Sequence, residues 1–270
     1  MTRLEKVANT IRTEGVVPYL YRLYRLGNWR RYIRRFANPG WRNVSRAMCR
    51  GRSILLPPSK KGIGEELILY GVHEPSATEL YERWLRPGET VLDVGSNIGY
   101  YLIVADAILG GKGQLHAFEP VPHLKSLLEL NSSSLATSVT INQLAIAGHE
   151  GATEFYVSRV PNWGSTKKSS TLLQAEKLEV PATSIDAYCK RQHVRPTFIR
   201  MDIEGGEVAA LEGALETLRS NPKLFIEVHL FLLTAVELRG ISDILLEAGY
   251  DSLTYIDRYY DNPWSSPSAR

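Results

Sequence analysis

Residues 91–99, VLDVGSNIG, decide how the fold of this 270-residue chain is interpreted. The first four residues are typical of a buried strand, and Gly95 to Gly99 form a turn that leads into the apolar segment 100–109. Glycine adopts backbone dihedrals that a Cβ forbids, and it lets the backbone approach a ligand closely. The segment therefore predicts a strand, a ligand-binding turn and a helix.

A second strand with an acid at its carboxyl end follows this helix. Residues 114–118 are predicted to form the strand, and Glu119 lies 119 − 99 = 20 positions after Gly99. In nucleotide-binding α/β folds a carboxylate at about 20 positions binds ribose hydroxyls. We therefore expect Glu119 to bind the ribose of a nucleoside cofactor.

The spacing of the glycines indicates which cofactor this is. The turn reads D-x-G-x-x-x-G, with Asp93 before it and Asn97 where a dinucleotide-binding turn has its middle glycine. A carboxylate beside the turn repels a pyrophosphate but suits a cationic amino group, so the pattern favours S-adenosylmethionine. The alternative is a flavodoxin-like or NAD-binding sheet in which Glu119 only caps a strand.

Composition places the chain among soluble globular proteins. It is 44% hydrophobic and 23% charged. Cys49 and Cys189 form neither a disulfide framework nor a C-x-x-C or zinc spacing, which is typical of a reducing compartment. Residues at the N-terminus lack the apolar core expected of a signal peptide, and no run of 18 apolar residues is present. We expect a cytoplasmic protein.

The charge is distributed unevenly along the chain. Residues 1–61 hold 15 Lys/Arg and two acids (+13), whereas the rest holds 17 basic and 27 acidic residues (−10). Three interpretations of this basic, aromatic-rich segment remain open. In the first, it is a helical extension that docks on the acidic domain of the same chain. In the second, residues 15–50 contact an anionic membrane, and in the third, the segment binds nucleic acid.

Alternating strands and helices predict an α/β domain with a doubly wound, mostly parallel sheet. We predict a basic helical extension over 1–61, a catalytic domain over 62–260 and a frayed tail over 261–270. The polar segment 158–172 is predicted to cover the acceptor site. The predicted strands are 91–95, 114–118, 139–146, 153–157, 178–181, 197–202, 223–228 and 252–256, and the predicted helices include 98–109, 121–131, 184–192, 206–219 and 231–248.

Polar residues follow four of these strands and are expected to meet at one edge of the sheet. The glycine turn and Glu119 are joined there by the segments 202–205 and 226–229. Glu204 and Glu207 have a second interpretation, because acids in the first turn of a helix interact favourably with its dipole. Together, the residues expected at this edge predict a binding site that contains several carboxylates and one histidine.

At these residues the chain resembles the FkbM-type S-adenosylmethionine-dependent methyltransferases. The resemblance runs in family order over about residues 62–230. The chain departs from the family's usual residues at Ser96, Arg200 and Gly206. The matching elements are Gly71-x-x-Glu74-Pro75, residues 91–101, Phe118 to Pro120, Asn142-x-x-Ala145, Ser184 to Asp186, Met201 to Gly205 with Glu207, and Ile226 to His229.

The resemblance implies a class I methyltransferase (Rossmann-like) fold, with a seven-stranded sheet whose last strand is antiparallel. It implies O-methylation of a hydroxyl on a small molecule, a sugar or a lipid-linked glycan. It also implies that S-adenosylmethionine is bound by one set of residues, which comprises Glu74, Asp93, Gly95, Asn97, Gly99, Glu119, Asn142, Ala145 and Asp202.

His229 and Asp202 are the predicted catalytic residues. A sugar or alkyl hydroxyl is a poor nucleophile, so a base within hydrogen-bond reach would assist the transfer. The prediction is a site without metal, and the alternative is Mg²⁺ held by Asp202, Glu204, Glu227 and His229. Two other functions remain open: an RNA methyltransferase that uses the Arg-rich segment, and a non-catalytic cofactor-binding protein.

Overall fold

The computed structural model describes residues 45–58, 62–157, 164–165, 176–230 and 232–256. The predictions for residues before 45 and for the tail lie outside these ranges, as does most of the segment predicted to cover the acceptor site. The strands are β1 (Arg46–Cys49), β2 (Arg52–Leu55), β3 (Thr90–Val94), β4 (Gln114–Phe118), β5 (Ser138–Asn142), β6 (Ala145–Ile146), β7 (Gly151–Val157), β8 (Gly164–Ser165), β9 (Glu176–Thr183), β10 (Phe198–Met201) and β11 (Lys223–Ile226).

The helices alternate with these strands along the central part of the chain. They are α1 (Ile63–Tyr70), α2 (Pro75–Trp84), α3 (Tyr100–Leu109), α4 (Pro122–Ser132), α5 (Ile185–Gln192), α6 (Glu207–Glu212), α7 (Leu215–Leu218) and α8 (Ala235–Glu247). None of the helices in the described part of the chain has both the length and the apolar character needed to cross a membrane.

A five-stranded parallel sheet forms the centre of the fold, in the order β11-β10-β3-β4-β5. Every residue of β10 is buried, as are the last four residues of β3. Such continuous burial is typical of parallel strands that are covered on both faces. The predicted doubly wound parallel sheet is therefore confirmed.

The predicted seven-stranded sheet with an antiparallel last strand is not seen, because the described residues give this sheet five strands. Residues 252–256, predicted as the last strand, belong to no strand. The exposed fractions of Leu253 and Tyr255 are 85% and 72%, so these side chains bury no face against the sheet. The pattern of residues 252–256 therefore predicted a strand that the structure does not contain at these residues.

Two other elements differ from the sequence-based prediction. The single strand predicted over 139–146 is divided, because β5 lies in the central sheet and β6 pairs with β9 in a second, four-stranded sheet. The helix predicted over 206–219 is interrupted near Gly213. A Cβ on Gly213 would lie 2.8 Å from the carbonyl oxygen of Ala147, so the backbone at Gly213 lies too close to Ala147 for any residue other than glycine.

The antiparallel hairpin β1–β2 packs on the core of the domain. Residues 46–49 lie within the predicted helical extension but form a strand, in which exposed and buried residues alternate as in a half-buried strand. The side chain of Asn131 holds the hairpin by accepting from Leu55 N (2.7 Å) and donating to Leu55 O (3.1 Å). Arg52 also pairs with the buried Asp106 at 2.6 Å.

Side-chain caps define where two of the helices begin. Ser184 accepts from Ala187 N (3.1 Å), which confirms the start predicted for α5. Helix α8 begins after Thr234, which forms a capping box with Glu237. This cap explains why α8 begins later than the predicted residue 231.

Candidate active site

The candidate site lies where the order of the sheet reverses. Strand β3 is followed along the chain by β4 and β5 on one side, and β10 and β11 lie on the other. Ligands of open α/β sheets bind at the carboxyl ends of the strands beside such a switch point. The turn 95–99, Glu119, residues 202–207 and residues 227–229 all follow the carboxyl ends of these strands, as predicted.

The glycine turn is packed closely against the next strand end. Gly95 has φ +82°, and a Cβ there would lie 2.0 Å from the carbonyl oxygen of Asp202. Gly99 has φ +88°, and its Cβ would lie 2.8 Å from Leu128 Cδ1. Packing therefore requires glycine at 95, where the colliding atom belongs to the main chain, and the positive φ favours glycine at both positions, which adds to the ligand-based reason inferred from the sequence. The contact also places Asp202 directly beside the turn.

Glu119 is a buried carboxylate that joins the turn to β4. Its Oε2 accepts from Asn97 N and its Oε1 from Val121 N, both at 2.9 Å. Burial raises the pKa of the Glu119 carboxyl to about 7, although the two N–H groups act to lower it. The carboxylate is held rigidly at the position predicted for ribose binding.

Asn142 and Ala145 lie on the same side of the site as Glu119. The N–H of Glu119 donates to Asn142 O at 3.1 Å. The Asn142 side-chain amide donates to Ala117 O and to the Tyr188 hydroxyl, both at 3.1 Å. Ala145 is buried in the apolar cluster of the second sheet. The structure therefore brings Asn142 next to the predicted ribose-binding carboxylate, and Ala145 lies in the second sheet, three residues further along the chain.

Arg200 connects the end of β3 and its glycine turn with the residue that follows β10. Its Nη1 donates to Asp93 Oδ1 (3.0 Å) and Gly95 O (3.1 Å), and its Nη2 donates to Asp202 Oδ2 (2.8 Å). The guanidinium carbon also lies 4.1 Å from the centre of the Tyr101 ring. The sequence singled out Arg200 only as a departure from the family. A single cation within a buried apolar strand was the signal that could have indicated its role.

Glu74 is held by a second group of charged residues. It has φ 46°, an uncommon conformation for a residue other than glycine. Its Oε1 lies 2.9 Å from His73 Nε2, and its Oε2 accepts from the Tyr101 hydroxyl at 3.2 Å. His73 Nδ1 also lies 2.7 Å from Glu66 Oε2. The sequence did not indicate this pairing of Glu66 with His73.

The charge of His73 follows from its neighbours. Burial lowers the pKa of the His73 imidazole, but the carboxylates of Glu74 and Glu66 more than offset this and raise it to about 9. His73 is therefore an imidazolium at neutral pH that balances the buried Glu74.

His229 lies at the centre of a cluster of carboxylates on the other side of the site. Its Nδ1 lies 2.7 Å from Glu207 Oε1. Its Nε2 lies 3.2 Å from Glu227 Oε1, 3.3 Å from Glu204 Oε2 and 3.7 Å from Asp202 Oδ1. Glu207 is the first residue of α6, as its alternative interpretation required, but its side chain is fully buried against His229.

The charges of this cluster act on the imidazole. Burial lowers the pKa of His229, but its hydrogen bond to Glu207 and the charges of Asp202 and Glu204 raise it to about 9. One ligand atom from each of Asp202, Glu227 and His229 lies within 4.8 Å of the others. This spacing is compatible with a metal ion, the alternative that the sequence left open.

Unpartnered polar atoms show that the site suits the cofactor. Among the described residues, three buried side-chain atoms have no hydrogen-bond partner: Asp93 Oδ2, Asn97 Oδ1 and Glu207 Oε2. All three are acceptor atoms at this edge of the sheet, and leaving such atoms unpaired is costly. The amino group and ribose hydroxyls of S-adenosylmethionine are donors, so the residues present fit it.

The sequence of this chain is similar to those of known methyltransferases. The model of the methyltransferase FkbM domain matches residues 93–252. The chain is 26% identical over 161 residues to the hexuronic acid methyltransferase AglP of Haloferax volcanii, covering 59% of this chain and 62% of that protein. It is 30% identical over 101 residues to protein-L-isoaspartate O-methyltransferase 1 of Arabidopsis thaliana, covering 37% and 44%.

A solved structure of methyltransferase FkbM from Methylobacillus flagellatus KT is similar, with a TM-score of 0.43 and 18% identity over 68% of this chain and 46% of that one. The chain spans about three fifths of the length of AglP and less than half of the Arabidopsis protein. The family model covers more than half of the chain, and membership of a methyltransferase family of this kind implies S-adenosylmethionine as the cofactor. The chain belongs to the FkbM methyltransferase family.

Proposed function

We propose that this protein transfers a methyl group from S-adenosylmethionine to a hydroxyl of a sugar or another small molecule. The position of Asp202 is the observation that carries this proposal. Its carbonyl oxygen contacts the glycine turn at Gly95, and its carboxylate lies beside His229. Asp202 therefore lies where a methyl donor in the turn and an acceptor at the acidic cluster would meet.

The residues around the turn are proposed to hold the cofactor. Bound S-adenosylmethionine supplies a methyl group already activated by a positively charged sulfonium, so alignment by the protein provides most of the acceleration. Glu119 would accept hydrogen bonds from the ribose, and Asn142 and Ala145 would flank the adenine. Glu74, Asp93, Gly95, Asn97 and Gly99 would surround the methionine end.

Asp202 and His229 are proposed to face the acceptor. As the hydroxyl oxygen forms its new bond to carbon, its proton must pass to a base within hydrogen-bond reach. Asp202 Oδ1 and His229 Nε2 lie 3.7 Å apart and can contact the same hydroxyl. Glu207 orients the imidazole through Nδ1. Because the pKa of His229 is raised to about 9, Asp202 is proposed to accept the proton at neutral pH, and the neutral form of His229 becomes available as a base as the pH rises toward 9.

A sugar is the favoured class of acceptor. Carboxylates accept hydrogen bonds well from neutral hydroxyl groups. The relative AglP is named as a hexuronic acid methyltransferase, which supports a sugar for this chain as well. The carboxylates of Glu204 and Glu227 disfavour an anionic group beside them, so an RNA phosphodiester is less favoured there, and a hexuronic acid would bind with its own carboxylate directed away from them. The domain boundaries and the membrane contact through residues 15–50 remain predictions.

The test is an assay with isotopically labelled S-adenosylmethionine and a panel of monosaccharides, hexuronic acids and lipid-linked sugars. We expect label in a sugar, and we expect Asp202→Asn to lower kcat by about 10²–10⁴-fold, the usual contribution of acid–base catalysis. Asp243→Asn, an exposed change on α8, is the matched control. Label transferred to RNA instead of sugars, or to no acceptor at all, would contradict the proposal.

A further inference from the structure

A chain of hydrogen bonds links the interior of β4 to the side chain of Asn142 at the end of β5. The Tyr188 hydroxyl lies 3.1 Å from Asn142 Nδ2 and 2.8 Å from His116 Nδ1. His116 Nε2 lies 3.5 Å from Gln114 Oε1. Tyr188 and His116 are only 1% and 7% exposed, so water competes little for these bonds. Of these residues, the proposed function uses Asn142 alone.

The direction of each hydrogen bond follows from the amide of Asn142. One of its two polar atoms lies 3.1 Å from Ala117 O, a carbonyl oxygen that can only accept, so this atom is the amide nitrogen Nδ2. Nδ2 therefore donates its second hydrogen to the Tyr188 hydroxyl. That hydroxyl donates its own proton to His116 Nδ1, and the remaining imidazole proton lies on Nε2, which faces Gln114.

The surroundings keep His116 and Tyr188 in the protonation states that this direction requires. Burial lowers the pKa of the His116 imidazole, so Nδ1 keeps the lone pair that accepts from Tyr188. Burial also raises the pKa of the Tyr188 hydroxyl, so this group keeps its proton. The centre of the Tyr188 ring lies 4.6 Å from that of Phe118 in an edge-to-face arrangement, which holds the ring in place. The hydroxyl is therefore a fixed acceptor for the Asn142 amide.

We propose that Tyr188, supported by His116, is a positioning residue that holds the Asn142 amide with its carbonyl oxygen available to the nucleobase of the cofactor. Both hydrogens of Nδ2 are used within the protein, and among the described residues Oδ1 receives no hydrogen bond. Asn142 is half-buried, so a ligand can reach this oxygen. The inference rests on the proposed function, in which Asn142 flanks the adenine.

An acceptor atom at this place selects between nucleobases. The amino group of adenine donates hydrogen bonds, whereas hypoxanthine carries a carbonyl oxygen at the same position, which only accepts. Two acceptors that face each other leave both unpaired, and a site built to bind an N–H group rejects the analogue that lacks it. The amide orientation fixed by Tyr188 therefore favours the adenine form of the cofactor.

The experiment is calorimetric titration of the full-length protein with S-adenosylhomocysteine and with S-inosylhomocysteine, in which a carbonyl oxygen replaces the adenine amino group. We expect the wild type to bind the adenine compound at least about ten-fold more tightly. Asn142→Ala removes Oδ1 and should abolish this preference. Tyr188→Phe keeps the ring but loses the hydroxyl, so it should lower the preference about three- to ten-fold, the usual effect of one hydrogen bond.

Tyr250→Phe is the matched control. The Tyr250 hydroxyl donates to the carbonyl oxygen of Pro222 at 2.6 Å, so this variant also removes one hydrogen bond of a tyrosine, but at the residue that precedes β11. It should keep the wild-type preference. The ratio of the two affinities is the quantity to compare, because a general loss of stability weakens the binding of both compounds alike.

The outcomes separate this inference from the proposed function. A wild type that binds both compounds equally would overturn the inference and leave the methyltransferase proposal standing. A preference that Asn142→Ala abolishes but Tyr188→Phe leaves unchanged would overturn the positioning role of Tyr188. A wild type that binds neither compound would contradict the cofactor site, and the inference would fall with it.

Discussion

The two halves of the candidate site satisfy their charges in different ways. On the β3–β4 side, Glu119 is held by two main-chain N–H groups, and Asp93 is held by Arg200. On the β10–β11 side, the carboxylates converge on a single imidazole, that of His229. The first half pairs its carboxylates with main-chain N–H groups and a guanidinium, whereas in the second half four carboxylates surround one imidazole.

The difference suggests what each half binds. A preformed half suits a cofactor that is the same in every reaction cycle. A half lined by carboxylates and one imidazole suits a hydroxyl acceptor. Arg200 and the Gly95–Asp202 contact are the places where the halves meet, so changes there should have the largest effects.

Removal of the Arg200 cation should have the largest effect. Arg200→Met leaves Asp93, which is only 1% exposed, without its partner, and breaking a buried ion pair in this way costs about 3–5 kcal/mol. Arg219→Met is the matched control, because the Arg219–Glu247 pair is exposed and should cost less than about 1 kcal/mol. Denaturant unfolding measures both, and equal losses would show that Arg200 does not join the halves.

A change at the other meeting point should have a somewhat smaller effect. Gly88 and Gly95 have similar φ values, +89° and +82°, but a Cβ on Gly88 meets no atom within 4 Å. Gly88→Ala should cost about 1–2 kcal/mol through backbone strain. Gly95→Ala adds a collision with Asp202 O and should cost about 1–3 kcal/mol more. Equal free energies of unfolding would contradict the close contact between the halves.

The pairing of His73 with Glu66 and Glu74 should give a smaller, pH-dependent effect. The folded pKa of His73, about 9, lies above the ordinary value of 6.5, so its contribution is complete below pH 6.5 and is lost as the pH rises through 9. Because the group is largely buried, we expect on the order of 1–3 kcal/mol. The free energy of unfolding of His73→Gln should approach that of the wild type above pH 9; a constant difference would refute this linkage.

The first half was largely predictable from the sequence because one short segment encodes it. Residues 91–99 predicted the strand and the turn, and their spacing to Glu119 predicted an acid at the end of β4, which is buried and whose binding to ribose stays a prediction. The second half depends on tertiary contacts: nothing in the sequence indicated that Glu207 bonds His229, or that Arg200 reaches both Asp93 and Asp202. An apolar pattern likewise could not show that residues 252–256 remain outside the sheet.

The central claim is that the β3–β4 half binds S-adenosylmethionine through Glu119, and calorimetric titration of the cofactor into wild type and Glu119→Gln between pH 6 and pH 8.5 tests it directly. Burial raises the pKa of Glu119 to about 7, so the ionised form, which accepts hydrogen bonds from ribose, increases as the pH rises through 7. We expect wild-type affinity to rise with pH over this range. We also expect the variant to bind at least about ten-fold more weakly, since it loses a charge-assisted hydrogen bond, with little dependence on pH. Equal affinity of the two proteins, or no binding to the wild type, would contradict the account.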